Sequence, residues 1–254
     1  MNADLNFQKG YYSGISGLQL HIPKYLFPPP YENVSRLTYY STFFNSIEIN
    51  SSFYKIPKPA TIAKWSASVN DHFKFTFKLW KEITHCKGFD FKKEDVAIFI
   101  NSINHVQNKK GCLLIQFPPG LGKEYKGQIN KLLGYIRELE PVKWNIAIEF
   151  RNKSWYNAST YALLKKFKAT LVIHDIPKSA TPSLNQETDF LYFRFHGPTG
   201  NYRDSYAEDF LKEYASYVNE LLTNGKRVFV YFNNTMGDAL NNLKTLNGFL
   251  NNKI

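Results

Sequence analysis

The chain has 254 residues, a length that fits one (β/α)₈ barrel and also leaves room for two smaller domains. Its 43% hydrophobic and 21% charged content excludes a disordered chain, and no apolar run approaches the roughly 18 residues of a membrane span. The net charge of +11 favours anionic partners, although the lysines are scattered as on a solvated surface rather than gathered in blocks.

The opening MNADLNFQKG has no basic segment followed by an apolar stretch, so the expected location is the cytoplasm. Eight short runs then read as strands: 11–16 (YYSGIS), 46–50 (SIEIN), 73–79 (FKFTFKL), 111–117 (GCLLIQF), 144–150 (WNIAIEF), 169–174 (ATLVIH), 190–196 (FLYFRFH) and 227–233 (RVFVYFN). Each is rich in aromatic or β-branched residues. Helices are expected between most of them, at 31–44, at 59–69, and along the stripe Val96, Phe99, Ile100, Ile103, Val106. Further stripes are Ile129, Leu132, Leu133, Ile136 and then Phe210, Leu211, Tyr214, Tyr217, Val218, Leu221, the latter stopped by Asn224-Gly225. Shorter helices fit 158–168 and 237–250, whereas 176–189 holds Pro177 and Pro182 and reads as a loop. Cys86 and Cys112 form no Cys-x-x-Cys pair, which leaves a zinc knuckle or redox motif unsupported.

Strand–helix alternation implies a parallel sheet with right-handed crossovers, and eight such units are the arithmetic of a closed (β/α)₈ TIM barrel. A doubly wound open sheet is the competitor, but the first turn, S-G-I-S-G-L, lacks a G-x-G-x-x-G fingerprint. With no linker or composition break, the expectation is one domain over 1–254.

Polar side chains gather at the C-terminal ends of the runs: Ser16, Glu48 and Asn50, Lys78, Gln116, Glu149 and Arg151, His174 and Asp175, Arg194 and His196, Asn233 and Asn234. In a barrel these ends meet at one rim, where barrel enzymes keep their chemistry. Residues two apart share a face, so Glu48/Asn50, Glu149/Arg151 and Arg194/His196 each point together. Charges facing the helix layer would cost several kcal/mol, roughly, unless paired, so the lumen mouth is their better home. The alternative is that such residues simply mark the end of the barrel in water.

Several segments carry a family resemblance: SGISGL (13–18), YYSTFFNSIEINSSFYKIPKPATIAKW (39–65), FTFKLWKEITH (75–85), LLIQFPPGL (113–121), IAIEFRNKSW (146–155), YFRFHG (192–197) and VYFNNT (230–235) with Gly237 and Ala239. On these the chain resembles the domain of unknown function 72 family, the YecE-like proteins. The resemblance implies a TIM barrel and supplies no mechanism. One departure is Gly14-Ile15-Ser16-Gly17-Leu18, where family members commonly carry Gly-Thr-Ser-Gly-Trp and Leu18 brings no indole.

As candidates for catalysis the rim offers Glu48 and Glu149 as bases, His196 as acid or base, and Lys78 as an amine. As ligand contacts it offers Asn50, Gln116, Arg151, Trp155, Asp175, Arg194, Asn233 and Asn234, with Tyr54 and His85 in nearby loops. A small phosphate- or carboxylate-bearing ligand held chiefly by Arg151 and Arg194, with help from Lys78, is the leading expectation. Hydrolase, lyase and isomerase chemistry all remain open, as do a nucleic-acid-binding protein and a binding module without chemistry. No cofactor is expected. A metal site is disfavoured by three competing cations, and a glycosidase carboxylate pair by cations that would lower the acid's pKa.

Overall fold

All eight expected runs form strands in the computed structural model, which describes residues 7–140, 144–182 and 187–251. They are β1 (Tyr11–Ile15), β2 (Ser46–Ile49), β3 (Lys74–Lys78), β4 (Lys110–Gln116), β5 (Asn145–Glu149), β6 (Ala169–His174), β7 (Phe190–Phe195) and β8 (Arg227–Phe232). All pair in parallel, in the order β1-β8-β7-β6-β5-β4-β3-β2. The protein is a TIM barrel.

The barrel closes between β1 and β2, where backbone pairing is reduced to a bridge between Ser16 and Glu48. Side chains replace the missing ladder. Asn45 accepts from the Ser13 amide at 2.9 Å and donates to the Tyr11 carbonyl at 2.7 Å. The Tyr40 hydroxyl accepts from the Ile15 amide at 2.9 Å and donates to the Ser46 carbonyl at 3.0 Å. The seam is tight enough that a Cβ at Gly14 would stand 2.2 Å from the Ser46 carbonyl oxygen.

Strand alternation sorts the side chains cleanly. Phe75, Phe77, Ile115, Ile146, Ile148, Phe193 and Phe195 face the helices in one large core. Tyr12, Cys112, Leu114, Ala147, Val172, Phe190, Tyr192, Phe229 and Tyr231 fill the lower lumen as a second core. The Tyr231 hydroxyl is shared with Ser46 at 2.6 Å and Thr76 at 2.8 Å, so this buried phenol is satisfied.

The helices are α1 (Arg36–Tyr40), α2 (Ser51–Tyr54), α3 (Pro59–Ala67), α4 (Lys81–Thr84), α5 (Lys93–Ile103), α6 (Lys126–Leu139), α7 (Ala158–Lys166), α8 (Glu208–Thr223) and α9 (Ala239–Asn251). In α6 the stripe Ile129, Leu132, Leu133, Ile136 is fully buried, each side chain contributing about 1.5–3 kcal/mol. The α8 helix begins with Glu208 and Asp209 in its first turn, where the helix dipole favours them. It ends at Gly225, whose φ of 75° suits glycine. The helix expected over 31–44 is only five residues long. Ser35 caps it at Thr38, and the preceding Pro28-Pro29-Pro30 delays its start. No helix follows β6 among the described residues, and 183–186 lie outside them. None of the described helices is long and apolar enough to cross a membrane.

Candidate functional site

Glu48 on β2, Glu149 on β5 and Arg194 on β7 share the lumen-facing parity of their strands and carry their charges into the upper lumen, above the apolar floor. At the centre is Arg194, with a side chain only 2% exposed. Its Nε donates to both Glu48 oxygens at 3.1 Å, and its Nη2 donates to Glu48 at 2.8 Å and to Ser16 Oγ at 3.3 Å. Its Nη1 reaches Glu149 at 3.2 Å. Glu48 also accepts from the hydroxyls of Ser16 and Tyr192. Burial opposes ionisation of Glu48, but the Arg194 charge and these hydrogen bonds outweigh it and keep the carboxyl below its usual range. Burial likewise opposes the Arg194 charge, and Glu48 and Glu149 more than restore it. Glu149 is held well below the carboxylate range by Arg151 and Arg194 against its own burial.

The second layer is built around His196. Its Nε2 lies 3.0 Å from Arg194 Nη1 and 3.1 Å from Arg151 Nη2. Guanidinium groups only donate, so Nε2 is the acceptor and the ring proton sits on Nδ1. That proton is donated to Asp175 Oδ1 at 3.2 Å. Asp175 also accepts from the His196 amide at 2.9 Å and from the Tyr206 hydroxyl. Burial lowers the His196 pKa to about 4, with the two arginines adding to it against Asp175 and Glu149. The imidazole is therefore neutral at pH 7, and its lone pair is engaged by two cations.

Lys78 stands apart from this network. It ends β3, one step beyond the register that pairs Ile49 with Phe77, beside Asn50. Its Nζ lies 3.9 Å over the Phe53 ring and makes no hydrogen bond or ion pair among the described residues. Burial and the charges of Arg194 and Arg151 bring its pKa down to about 7, against the pull of Glu149 and Glu48. His85 packs its ring edge-on to Phe53 at 5.0 Å, and burial with the Lys78 and Arg151 charges lowers its pKa to about 4. Asn50 donates to Ser16 Oγ at 2.5 Å, while its Oδ1 is buried without a partner.

Thus Glu48, Lys78, Glu149, Arg151, Arg194, His196, Asp175 and Asn50 gather at one mouth. Gln116 shares their parity and donates to the Phe117 carbonyl at 2.8 Å, and Asn233 is 6% exposed at the end of β8. Two residues lie elsewhere. Trp155 is fully buried, stacked on the helix-facing Phe150 at 4.5 Å, and donates to the Leu121 carbonyl at 2.7 Å. Parity does not extend past the strand end, and the indole packs in the outer core. Asn234 is one residue out of phase with the lumen-facing Tyr231 and Asn233. It donates to the Asp204 carbonyl and to Asn242, both at 2.9 Å, and so braces loops. Among the described residues no three His, Cys, Asp or Glu side chains converge as a metal ion would need.

Residues 12–254 match the family model described as Protein of unknown function DUF72. The chain belongs to this family. The DUF72 chain is 30% identical to the UPF0759 protein YunF of Bacillus subtilis, over 92% of its own length and 93% of that protein. It is 24% identical to the UPF0759 protein YecE of Escherichia coli, over 48% of its length and 44% of YecE. Among solved structures, a DUF72 family protein of Enterococcus faecalis superposes with a TM-score of 0.80 at 24% identity, covering 95% of each chain. Another from Thermotoga maritima gives 0.73 at 27% identity, covering 94% of this chain and 97% of that one. Three contributors to the mouth of this DUF72 barrel are not among the polar strand ends, Tyr192, Tyr206 and Phe53, and a fourth, Ser16, stands there without its role. Tyr192 was legible, since it shares the parity of Arg194. Ser16 was noted as polar but not as the hydroxyl joining Glu48 to Asn50. Tyr206 and Phe53 come from loop and helix positions that no strand period reaches.

Proposed function

We propose that the barrel mouth binds a small anionic ligand, one bearing a phosphate or carboxylate, through Lys78 and the outer edge of Arg151. The observation that carries this reading is the Lys78 ammonium, which has no hydrogen-bond acceptor among the described residues. It stands beside two arginines that disfavour its charge. An incoming anion would supply what the protein withholds. Arg194 has a different part from the one its position suggests. Its donors are spent on Glu48, Glu149, Ser16 and His196, so it orders the mouth rather than grips the ligand. Arg151 is 12% exposed, and its Nη1 makes no hydrogen bond among the described residues. Asn50 Oδ1 offers an acceptor for a ligand hydroxyl.

Calorimetric titration of phosphate, sulfate and short oligonucleotides tests the reading. A charged hydrogen bond contributes about 1.5–3 kcal/mol, so Lys78→Ala or Arg151→Ala should weaken small-anion binding roughly ten- to a hundredfold. An anion raises the Lys78 pKa, so binding near pH 7 should take up to about half a proton from the buffer. That uptake should vanish in Lys78→Ala. Failure of small anions to bind, with oligonucleotides binding instead, would move the function to nucleic acid. Little favours that reading, because basic side chains at the opposite end of the barrel are engaged: Arg137 with carbonyls, Lys165 with Glu187, Lys166 with Asn130 and Arg227 with Asn145.

A further inference from the structure

We propose that Lys78 is a covalent nucleophile, its Nζ adding to the carbonyl carbon of an aldehyde or keto acid that enters the mouth. The anionic character of that carbonyl compound rests on the reading above; the amine chemistry does not.

The molecule contains its own comparison. Lys109, more buried than Lys78, is fully committed: its Nζ donates to the Ser66 carbonyl at 2.6 Å and the Val69 carbonyl at 2.7 Å, and pairs with Asp71 at 3.5 Å. Lys110 pairs with Glu140 at 3.3 Å. A lysine kept for structure is held by oxygens in this way. Lys78 sits on the face of Phe53 and has no oxygen partner among the described residues. The groups acting on it come from several elements: Arg194 from β7, Glu149 from β5, Arg151 just beyond β5, Glu48 from β2 and His85 after α4. Desolvation beside other cations is the setting that gives a lysine amine its nucleophilicity at neutral pH. The Phe53 ring acts the other way, since it favours the ammonium. With the amine near half-deprotonated at pH 7, it presents roughly a thousandfold more lone pair than an ordinary exposed lysine.

The step balances without a cofactor. The unprotonated Nζ forms a C–N bond, and the carbonyl π pair moves to oxygen, which takes a proton. The nitrogen then loses a proton, and the hydroxyl takes up the proton first released by the ammonium and leaves as water, giving a protonated imine. Overall, one ammonium and one carbonyl yield one iminium and one water. The protons exchange with solvent water, because His85, packed on the same Phe53 ring, has its pKa lowered to about 4 and is too weak a base to hold them.

The test is reductive trapping of glyoxylate with cyanoborohydride at pH 7, read by peptide mass spectrometry, alongside phosphate calorimetry. Lys78 should be alkylated at least ~10-fold faster than exposed Lys24 or Lys165, and phosphate should slow it. Lys78→Arg should abolish the adduct while retaining a cooperative urea unfolding transition, which shows that the loss is of the amine and not of the fold. Phosphate binding without preferential alkylation of Lys78 overturns the nucleophile and leaves the anion reading standing. Preferential alkylation without phosphate binding or protection does the reverse.

Discussion

The lower and upper halves of the lumen are built by the same strands at the same parity, yet they are filled in opposite ways. The floor is aromatic and aliphatic, with the Tyr231 hydroxyl paired to Ser46 and Thr76 and the Tyr192 hydroxyl reaching up to Glu48. The mouth packs Arg194, Glu48 and Glu149 at nearly the same depth. Buried ion networks seldom stabilise more than well-packed apolar groups of similar volume. The floor therefore suffices for closure, and the charges above it are a layer the fold alone does not require. Within that layer lies a second contrast. Arg194 and His196 have their hydrogen-bonding groups engaged, whereas Lys78 does not.

The largest expected effect separates floor from mouth by pH. Arg194→Ala leaves the buried Glu48 carboxylate without its cation and should cost about 3–5 kcal/mol at pH 7, measured by urea unfolding. In the parent protein Glu48 and Glu149 titrate below the unfolded carboxylate value. Their contribution is present above pH ~4.3 and is lost as the pH falls through their folded pKa values. In the variant Glu48 loses the Arg194 charge and burial raises its pKa above the unfolded value, whereas Arg151 still holds Glu149 down, so the Glu48 part of the deficit should shrink on acidification. A deficit that grows in acid would contradict the pairing.

Tyr231→Phe removes the hydroxyl that joins Ser46 and Thr76 in the floor. It should cost about 1–2 kcal/mol, equally at pH 5 and pH 8. A pH-dependent cost would mean that the two halves are electrostatically coupled.

Lys78→Met should have a smaller effect, and one of opposite sign. The folded protein depresses the Lys78 pKa to about 7, so below that pH it bears the full penalty of holding the ammonium. The penalty disappears as the pH rises towards the unfolded value of ~10.4. The variant should thus gain about 1 kcal/mol at pH 6, after allowance for solvent screening, and nothing at pH 10. A gain that persists at pH 10 would assign it to packing on Phe53. The smallest effect is expected for Lys165→Ala at the exposed Lys165–Glu187 pair, which should leave both stability and anion binding unchanged.

Much of this could be read along the chain. Eight strands, their faces, and the long stripes of α6 and α8 follow from periods of 2 and 3.6 in the side chains, and those periods are local. Parity also put Glu48, Glu149, Arg194 and His196 at the lumen mouth. It served less well where a strand ends. Trp155 lies beyond β5, in a turn that no period governs, and Asn234 follows Asn233 on the opposite face. The β1–β2 seam, sealed by Asn45 and Tyr40, left no periodic signal, because each of those side chains bonds backbone about 25 to 34 positions away or crosses a turn.

What the sequence determined by itself was which residues form each strand and which way they face, because backbone sterics and alternation act between neighbours. Which charges neutralise one another was decided only by tertiary structure. Glu48 and Arg194 are 146 residues apart in the chain and 2.8 Å apart in the barrel. Electrostatic energy depends on that second distance and on burial, and neither is written in the spacing of residues along a strand.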